Sequence, residues 1–271
     1  MAEKQQNYPN DHRFEEARRL MDVKHYMPAL SLWEKIQRSY CHRPPDHPKM
    51  LCCRRYIVEA LHHLGMNELA MERIPALLED LKKNPVRHAG FICRLLQTRA
   101  RCLFALGQYG EARFACEEYI KVASEKFGAK HKSVLFGTEL QLKILYHGGY
   151  LKEGKDKGQR CVKLFHKVHG VDRRTLIVEE LLASIYSRLG EWDKATIHWQ
   201  ECTRLAQAIH WKKPEEKVEA VQRFEFNTRS CQVRIAESAS AEPASAEPVE
   251  PAAPEPGVIE PGGIETLSKS A

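Results

Sequence analysis

The sequence predicts an all-α solenoid: a row of stacked helical hairpins, then a capping helix and an acidic tail. Two observations carry that expectation. Short stretches of one type recur along the chain, namely Lys24-His25-Tyr26-Met27-Pro28-Ala29, Leu64-Gly65-Met66-Asn67-Glu68-Leu69-Ala70, Leu106-Gly107-Gln108-Tyr109-Gly110-Glu111-Ala112, Gly149-Tyr150-Leu151-Lys152-Glu153-Gly154 and Leu189-Gly190-Glu191-Trp192-Asp193-Lys194-Ala195. Aligned on positions 24, 65, 107, 149 and 190, they are 41, 42, 42 and 41 residues apart, a period typical of stacked-repeat architectures. No window alternates apolar and polar residues over the length of a strand, so no sheet is expected.

Residues 1–10 are polar and read as a flexible N-terminus. Asn10-Asp11 supplies a cap for a first helix over about 12–23, with Phe14, Ala17, Leu20 and Met21 on its apolar side. Leu30, Trp33 and Ile36 mark its partner, which stops before Pro44-Pro45. The second hairpin runs from about 49 to 63 and then through Leu69, Ala70, Ile74, Leu77, Leu78 and Leu81, with a kink or late start expected at Pro75. Lys82-Lys83-Asn84-Pro85 reads as its close. The third pair is expected over 91–106 and 109–127, the fourth over 133–147 and 151–169, and the fifth over 175–189 and 192 to about 211. The hairpins thus occupy 11–211. A capping helix follows within 212–235, because the last unit of a repeat stack otherwise exposes an apolar face. Residues 236–271, rich in Ala, Glu, Pro and Ser, hold too few large apolar groups to offset chain entropy and read as a disordered tail.

Each recurring stretch is the corner of a hairpin. Glycine ends the first helix in a left-handed conformation that a β-carbon penalises. The aromatic two residues later (Tyr26, Tyr109, Trp192) packs into the angle between the helices. The small residue at the fifth position after the turn start (Ala29, Ala70, Ala112, Gly154, Ala195) lets them approach closely.

Composition narrows the functional classes. The 271 residues carry a net charge of +6, yet residues 236–271 contain seven Glu and one Lys, so a body of net +12 precedes a tail of net −6. Such an asymmetry points to an acidic partner, an anionic surface or contact between the two halves. No apolar run approaches the roughly 18 residues of a membrane span, and no secretory signal opens the chain. Nine cysteines without a Cys-x-x-Cys pair fit reduced, mostly buried thiols and a cytoplasmic location. Cys52-Cys53 beside His62-His63 is the nearest approach to a metal motif. Buried cysteine and surface histidine are the commoner fates on helices, so no metal or cofactor is expected. No phosphate loop, nucleophile elbow or spaced zinc motif is present, and the 13 histidines scatter over helix ends and turns, with His166 and His169 read as surface groups. The chain is read as non-enzymatic.

Leu182-Ala183, Tyr186, Gly190, Trp192, Ala195, Trp199 and Cys202 resemble the signature of tetratricopeptide (TPR) repeats. The units exceed the usual 34 residues or so. With linkers such as 127–134, Asp46-His47-Pro48 and 169–172, they look like the longer variant found in kinesin light chains. Lys24 replaces the turn glycine in the first unit and Leu151 the aromatic in the fourth. HEAT-type pairs share the period but lack these turn residues. The resemblance implies a right-handed TPR-like solenoid of about five repeats. It also implies a non-catalytic adaptor that holds an extended partner segment in a groove lined by the first helix of each hairpin. Carried over unit by unit, the groove positions are Arg18 and Met21; Arg55, Glu59 and His62; Arg94, Gln97 and Arg101; Glu139, Lys143 and Tyr146; and Glu180, Ser184 and Arg188. A basic residue in every unit suits carboxylates, which guanidinium groups hold through paired hydrogen bonds. The alternative is a mixed-charge face whose glutamates neutralise their neighbours.

A second basic set, Lys152, Lys155, Lys157, Arg160, Lys163 and Lys167, spreads over one arc of a helix. It is either an anion-binding face for lipid or nucleic acid or simply a soluble exterior; no nucleic-acid motif supports the former. The acidic tail is expected either to solubilise or to fold back into the groove. A permanent subunit of a larger complex is the other reading for the whole chain.

Overall fold

The structure is a computed structural model in which residues 11–240 are described; the expectations for residues 1–10 and 241–271 lie outside the described residues. Among the described residues there are eleven α-helices and no strand. They pair as α1 (His12–Asp22) with α2 (Tyr26–Ser39), α3 (Pro48–His63) with α4 (Asn67–Lys82), α5 (Pro85–Ala105) with α6 (Tyr109–Phe127), α7 (Lys132–His147) with α8 (Leu151–His169), and α9 (Arg173–Arg188) with α10 (Trp192–Ala208). The last helix is α11 (Pro214–Ser240).

Hairpin starts follow local chemistry. Asp11, His47, Asn84, His131 and Asp172 each accept a backbone N–H of the first turn of an odd-numbered helix. These caps satisfy donors that a helix start leaves without partners. Each hairpin corner then reverses the chain through a left-handed residue: Gly65, Gly107, Gly149 and Gly190 have φ between +73° and +79°. Lys24 occupies the same conformation at φ +64°, the one non-glycine residue to do so among the described residues. The departure of the first unit from the pattern is therefore one of residue type alone; the turn itself is conserved in shape.

The five small residues, Ala29, Ala70, Ala112, Gly154 and Ala195, are all buried. A β-carbon at Gly154 would stand 3.1 Å from Ile185 Cδ1, so this corner is tight. Trp33 stacks on Tyr56 with ring centres 4.5 Å apart, and Phe14 meets Trp33 edge-on at 5.5 Å, so aromatic packing locks the first hairpin to the second. Every helix packs on its successor. The odd-numbered helices also touch one another, α3 with α5, α5 with α7 and α7 with α9. That closer spacing makes the odd layer the inner side of the curve. At the far end α11 seats Ala220, Phe224 and Cys231 on α10 and α9, with Phe224 stacked 5.9 Å from Trp199.

Several boundaries differ from expectation. Pro85 does not close the second unit; it opens α5 at the first helical position, where its missing N–H costs nothing. Helix α4 neither starts late nor breaks at Pro75, because Ile74, Leu77, Leu78 and Leu81 around it are all buried and hold the segment in place. Helix α11 continues through Ser240, so residues 236–240, expected in the tail, are helical. Eight of the nine free cysteines are buried and Cys41 is exposed.

Candidate functional site

The inner faces of α3, α5, α7 and α9 frame an open cleft of 330 Å³, lined by Glu59 and His63, by Arg94, Gln97, Thr98 and Arg101, by Lys132, Ser133 and Phe136, and by Arg174. Four of these are permanent cations at neutral pH and one is a carboxylate. Among the described residues, no carboxylate lies within ion-pair distance of Arg94, Arg101, Lys132 or Arg174. Glu59 already accepts Arg55 Nη1 at 2.8 Å, so the one acid in the cleft is committed to a neighbour on its own helix. Arg101 lies 6.0 Å from the Phe136 ring centre, giving the cleft an aromatic wall beside its charge. Burial, and then the field of Arg101, holds the His63 imidazole below its ordinary value and so favours its neutral form.

Of the residues expected to face a groove, Glu59, Arg94, Gln97 and Arg101 come together in this cleft. Others do not join them. Arg55, only 7% exposed, lies with its guanidinium 3.7 Å from the Tyr56 ring centre and 5.2 Å from that of Phe91. It is a core residue, and its place in an open groove is corrected. Met21 is likewise buried. His62 turns its Nδ1 to Asn67 at 2.8 Å and is partly withdrawn into the hairpin corner. Arg18 lies 6.0 Å from the Tyr56 ring centre, at the N-terminal end of the array.

Further along, Glu139 is buried and bound by Lys143 at 2.6 Å. Arg188 donates to the Tyr146 carbonyl at 2.8 Å and stacks on its ring at 5.2 Å. Glu180 meets Arg223 of α11 at 3.0 Å in a second, smaller recess of 280 Å³ that α11 helps to enclose. Ser184 donates to the carbonyl of Glu180. The basic arc of α8 also changes character. Lys155 pairs with Glu191 at 2.8 Å and Lys157 with Glu117 at 2.6 Å, bridging successive hairpins, and Lys157 also meets Glu153 of its own helix at 2.8 Å. Lys152, Arg160, Lys163 and Lys167 remain exposed, with Asp156 between them.

Sequence reasoning missed His63, Lys132, Phe136 and Arg174. A usable signal existed: Lys132 and Arg174 are 42 residues apart, one repeat step, at the start of consecutive odd helices. The expected groove positions lie in the middle and last turns of the odd helices, whereas Lys132 and Arg174 stand in the first turn.

No family model and no curated protein matches the sequence. Solved structures do match. The TPR-like repeats of a kinesin light chain candidate from Podosopora anserina superpose with TM-score 0.61 at 18% identity, covering 71% of this chain and 92% of that one. BtubC (BKLC) from P. vanneervenii gives 0.57 at 12% identity over 86% and 98% of the two chains. The apo form of RapI gives 0.64 at 11% identity over 84% of this chain and 63% of RapI. Similarity of this extent at such low identity reflects a shared backbone arrangement: this chain has the fold of a TPR-like repeat solenoid.

Proposed function

We propose that the chain is a non-catalytic adaptor that holds an acidic or carboxylate-bearing segment of a partner protein in the cleft across α3, α5, α7 and α9. The observation that carries this reading is four cations without carboxylate partners converging on one concave surface. Arginine presents paired donors that match a carboxylate, and Gln97 and Ser133 add neutral hydrogen-bonding capacity beside them. A structural relative, a Rap protein with TM-score 0.52, was solved in complex with competence and sporulation factor, which supports ligand binding by this type of array. The many free thiols favour a reducing compartment such as the cytoplasm. The acidic segment 241–271 is a candidate competitor for the same cleft, since tethering gives it an effective concentration in the millimolar range.

The test is fluorescence anisotropy with a labelled hexaglutamate peptide against the full chain and against an Arg94→Glu/Arg101→Glu variant. Binding should weaken at least tenfold in the variant and fall with added salt. It should strengthen when residues 241–271 are removed. Equal affinity in wild type and variant, or no binding at low salt, would defeat the proposal.

A further inference from the structure

Where the fourth hairpin meets the fifth, three helices bring ionisable groups to one point that the cleft does not use. Glu179 of α9 is 2% exposed in its side chain. Its Oε1 lies 2.6 Å from His166 Nε2 of α8, and its Oε2 lies 2.7 Å from His198 Nδ1 of α10. Glu201, one turn along α10 from His198, places Oε1 3.9 Å from the same His166 nitrogen. Among the described residues no lysine or arginine is within ion-pair distance of Glu179. A carboxylate this deeply buried usually has a cation against it, since desolvating the charge is costly and imidazoles supply only partial compensation when neutral.

From this geometry we infer that His166, Glu179 and Glu201 form a binding site for a divalent transition-metal ion of the zinc class. Their donor atoms all lie within 4.8 Å of one another. Ligands at about 2.0–2.2 Å around a tetrahedral ion stand roughly 3.3 Å apart. The His166–Glu179 pair at 2.6 Å therefore opens slightly and the His166–Glu201 pair at 3.9 Å closes slightly, both within reach of side-chain rotation. His166 would bind the ion through Nε2 as the neutral imidazole with its proton on Nδ1, so the Nε2–H that now faces Glu179 is given up to solvent while Nδ1 carries the remaining proton. His198 is not needed as a ligand: it holds the far oxygen of Glu179, the usual way a neighbouring group fixes a liganding carboxylate. Glu201 comes oriented by Arg204, whose Nε donates to Oε2 at 2.7 Å and whose Nη2 donates to Oε1. One imidazole and two carboxylates favour a borderline ion over a thiophilic one, and the fourth position stays open to water. Joining α8 to α9 and α10, such an ion would tie the fourth hairpin to the fifth.

The experiment uses the full chain carrying Cys41→Ser, which removes the exposed thiol, after treatment with a chelator. Zinc chloride binding is followed by calorimetry and cobalt chloride binding by visible absorption. The expected result is one site that weakens at least tenfold in His166→Gln and in Glu201→Gln, two partly exposed positions whose variants should keep the wild-type helical circular dichroism. His198→Gln should weaken it less. Cobalt should give the intense visible bands of a low-coordinate site in the parent and lose them in His166→Gln. Absence of zinc binding, or binding unchanged by both variants, overturns the inference. Hexaglutamate affinity should be the same with and without zinc, so failure here and failure of the concave-cleft reading are separate results.

Discussion

The middle of the concave face and its C-terminal end are built from the same repeat positions, yet they carry their charges differently. Across α3, α5, α7 and α9, Arg94, Arg101, Lys132 and Arg174 look into a cleft whose carboxylate, Glu59, is already held by Arg55, and among the described residues none has a carboxylate within ion-pair distance. At the end of the array, Glu180 is taken by Arg223, and Arg188 is taken by Tyr146. The difference comes from what lies opposite. In the middle of a solenoid the inner helix faces solvent. At its end, α11 covers the last apolar surface and brings Arg223 to Glu180, while Arg188 reaches back to Tyr146 of α7. A repeat position is therefore a place where a binding residue can stand, and the neighbouring element decides whether it remains available.

The largest way to break the comparison is to unseat the cap. Phe224 is 1% exposed against Trp199, and Phe224→Ala should cost about 3–5 kcal/mol in urea unfolding while leaving hexaglutamate affinity in the folded protein within about twofold. Loss of peptide binding in the folded variant would mean that the two ends are not independent. Next in size, each charge-assisted hydrogen bond lost from the cleft is worth roughly 1.5–3 kcal/mol. Arg101→Glu should therefore lower peptide affinity on the order of tenfold or more, whereas Arg188→Glu should change it by less than about threefold.

Acid titration of unfolding separates the two ends of the array. Asp11, which caps α1 and is bound by Arg13 and Tyr40, is held down to about 2 chiefly by the Arg13 side chain. A depressed carboxyl contributes stability above its unfolded value of 3.8 and loses it as the pH falls through the folded value. Asp11→Ala should thus cost about 1 kcal/mol at pH 7 and progressively less below pH 4. Glu180 behaves in the opposite sense, because burial raises its carboxyl despite Arg223. Its protonated form favours the fold below 4.5, and that advantage disappears as pH rises. Glu180→Gln should accordingly stabilise the protein at pH 7 and have little effect at pH 4; destabilisation at neutral pH would mean that the Arg223 pair outweighs burial.

The smallest effects compare the first corner with the last. Lys24→Gly should stabilise by about 1 kcal/mol, since a β-carbon in the left-handed region costs roughly that much. Gly190→Ala should destabilise by about 1 kcal/mol, because the added methyl would meet only Trp192 Nε1 at an ordinary contact distance of 4.0 Å and the backbone conformation alone is penalised. Chemical denaturation of both variants measures the difference.

The unit length, the hairpin corners and the buried small residues were readable in the chain. Each depends on contacts between residues close in sequence, repeated at a fixed period. The start of α5 at Pro85 was misread for a local reason: proline ends a helix from inside and opens one from its first position, and the residue alone does not say which. The cleft was half legible. Arg94, Gln97, Arg101 and Glu59 follow from their repeat positions; Lys132 and Arg174 share a repeat position too, but that they meet Arg94 and Arg101 in one cleft depends on consecutive odd helices lying side by side.

Arg55 and Glu179 mark the limit. Both are charged residues on helices; the repeat position assigns Arg55 to the groove, and no motif marks Glu179. The fold buries Arg55 against Tyr56 and Phe91, and Glu179 between two imidazoles. The sequence by itself determined the architecture, because periodicity, turn conformation and apolar spacing act over one or two helices. The tertiary structure decided which charges are paired or buried and which stay open, because ion pairing and desolvation depend on groups as far apart in the chain as Glu179 from His166 and Glu180 from Arg223, which only packing brings within a few ångströms.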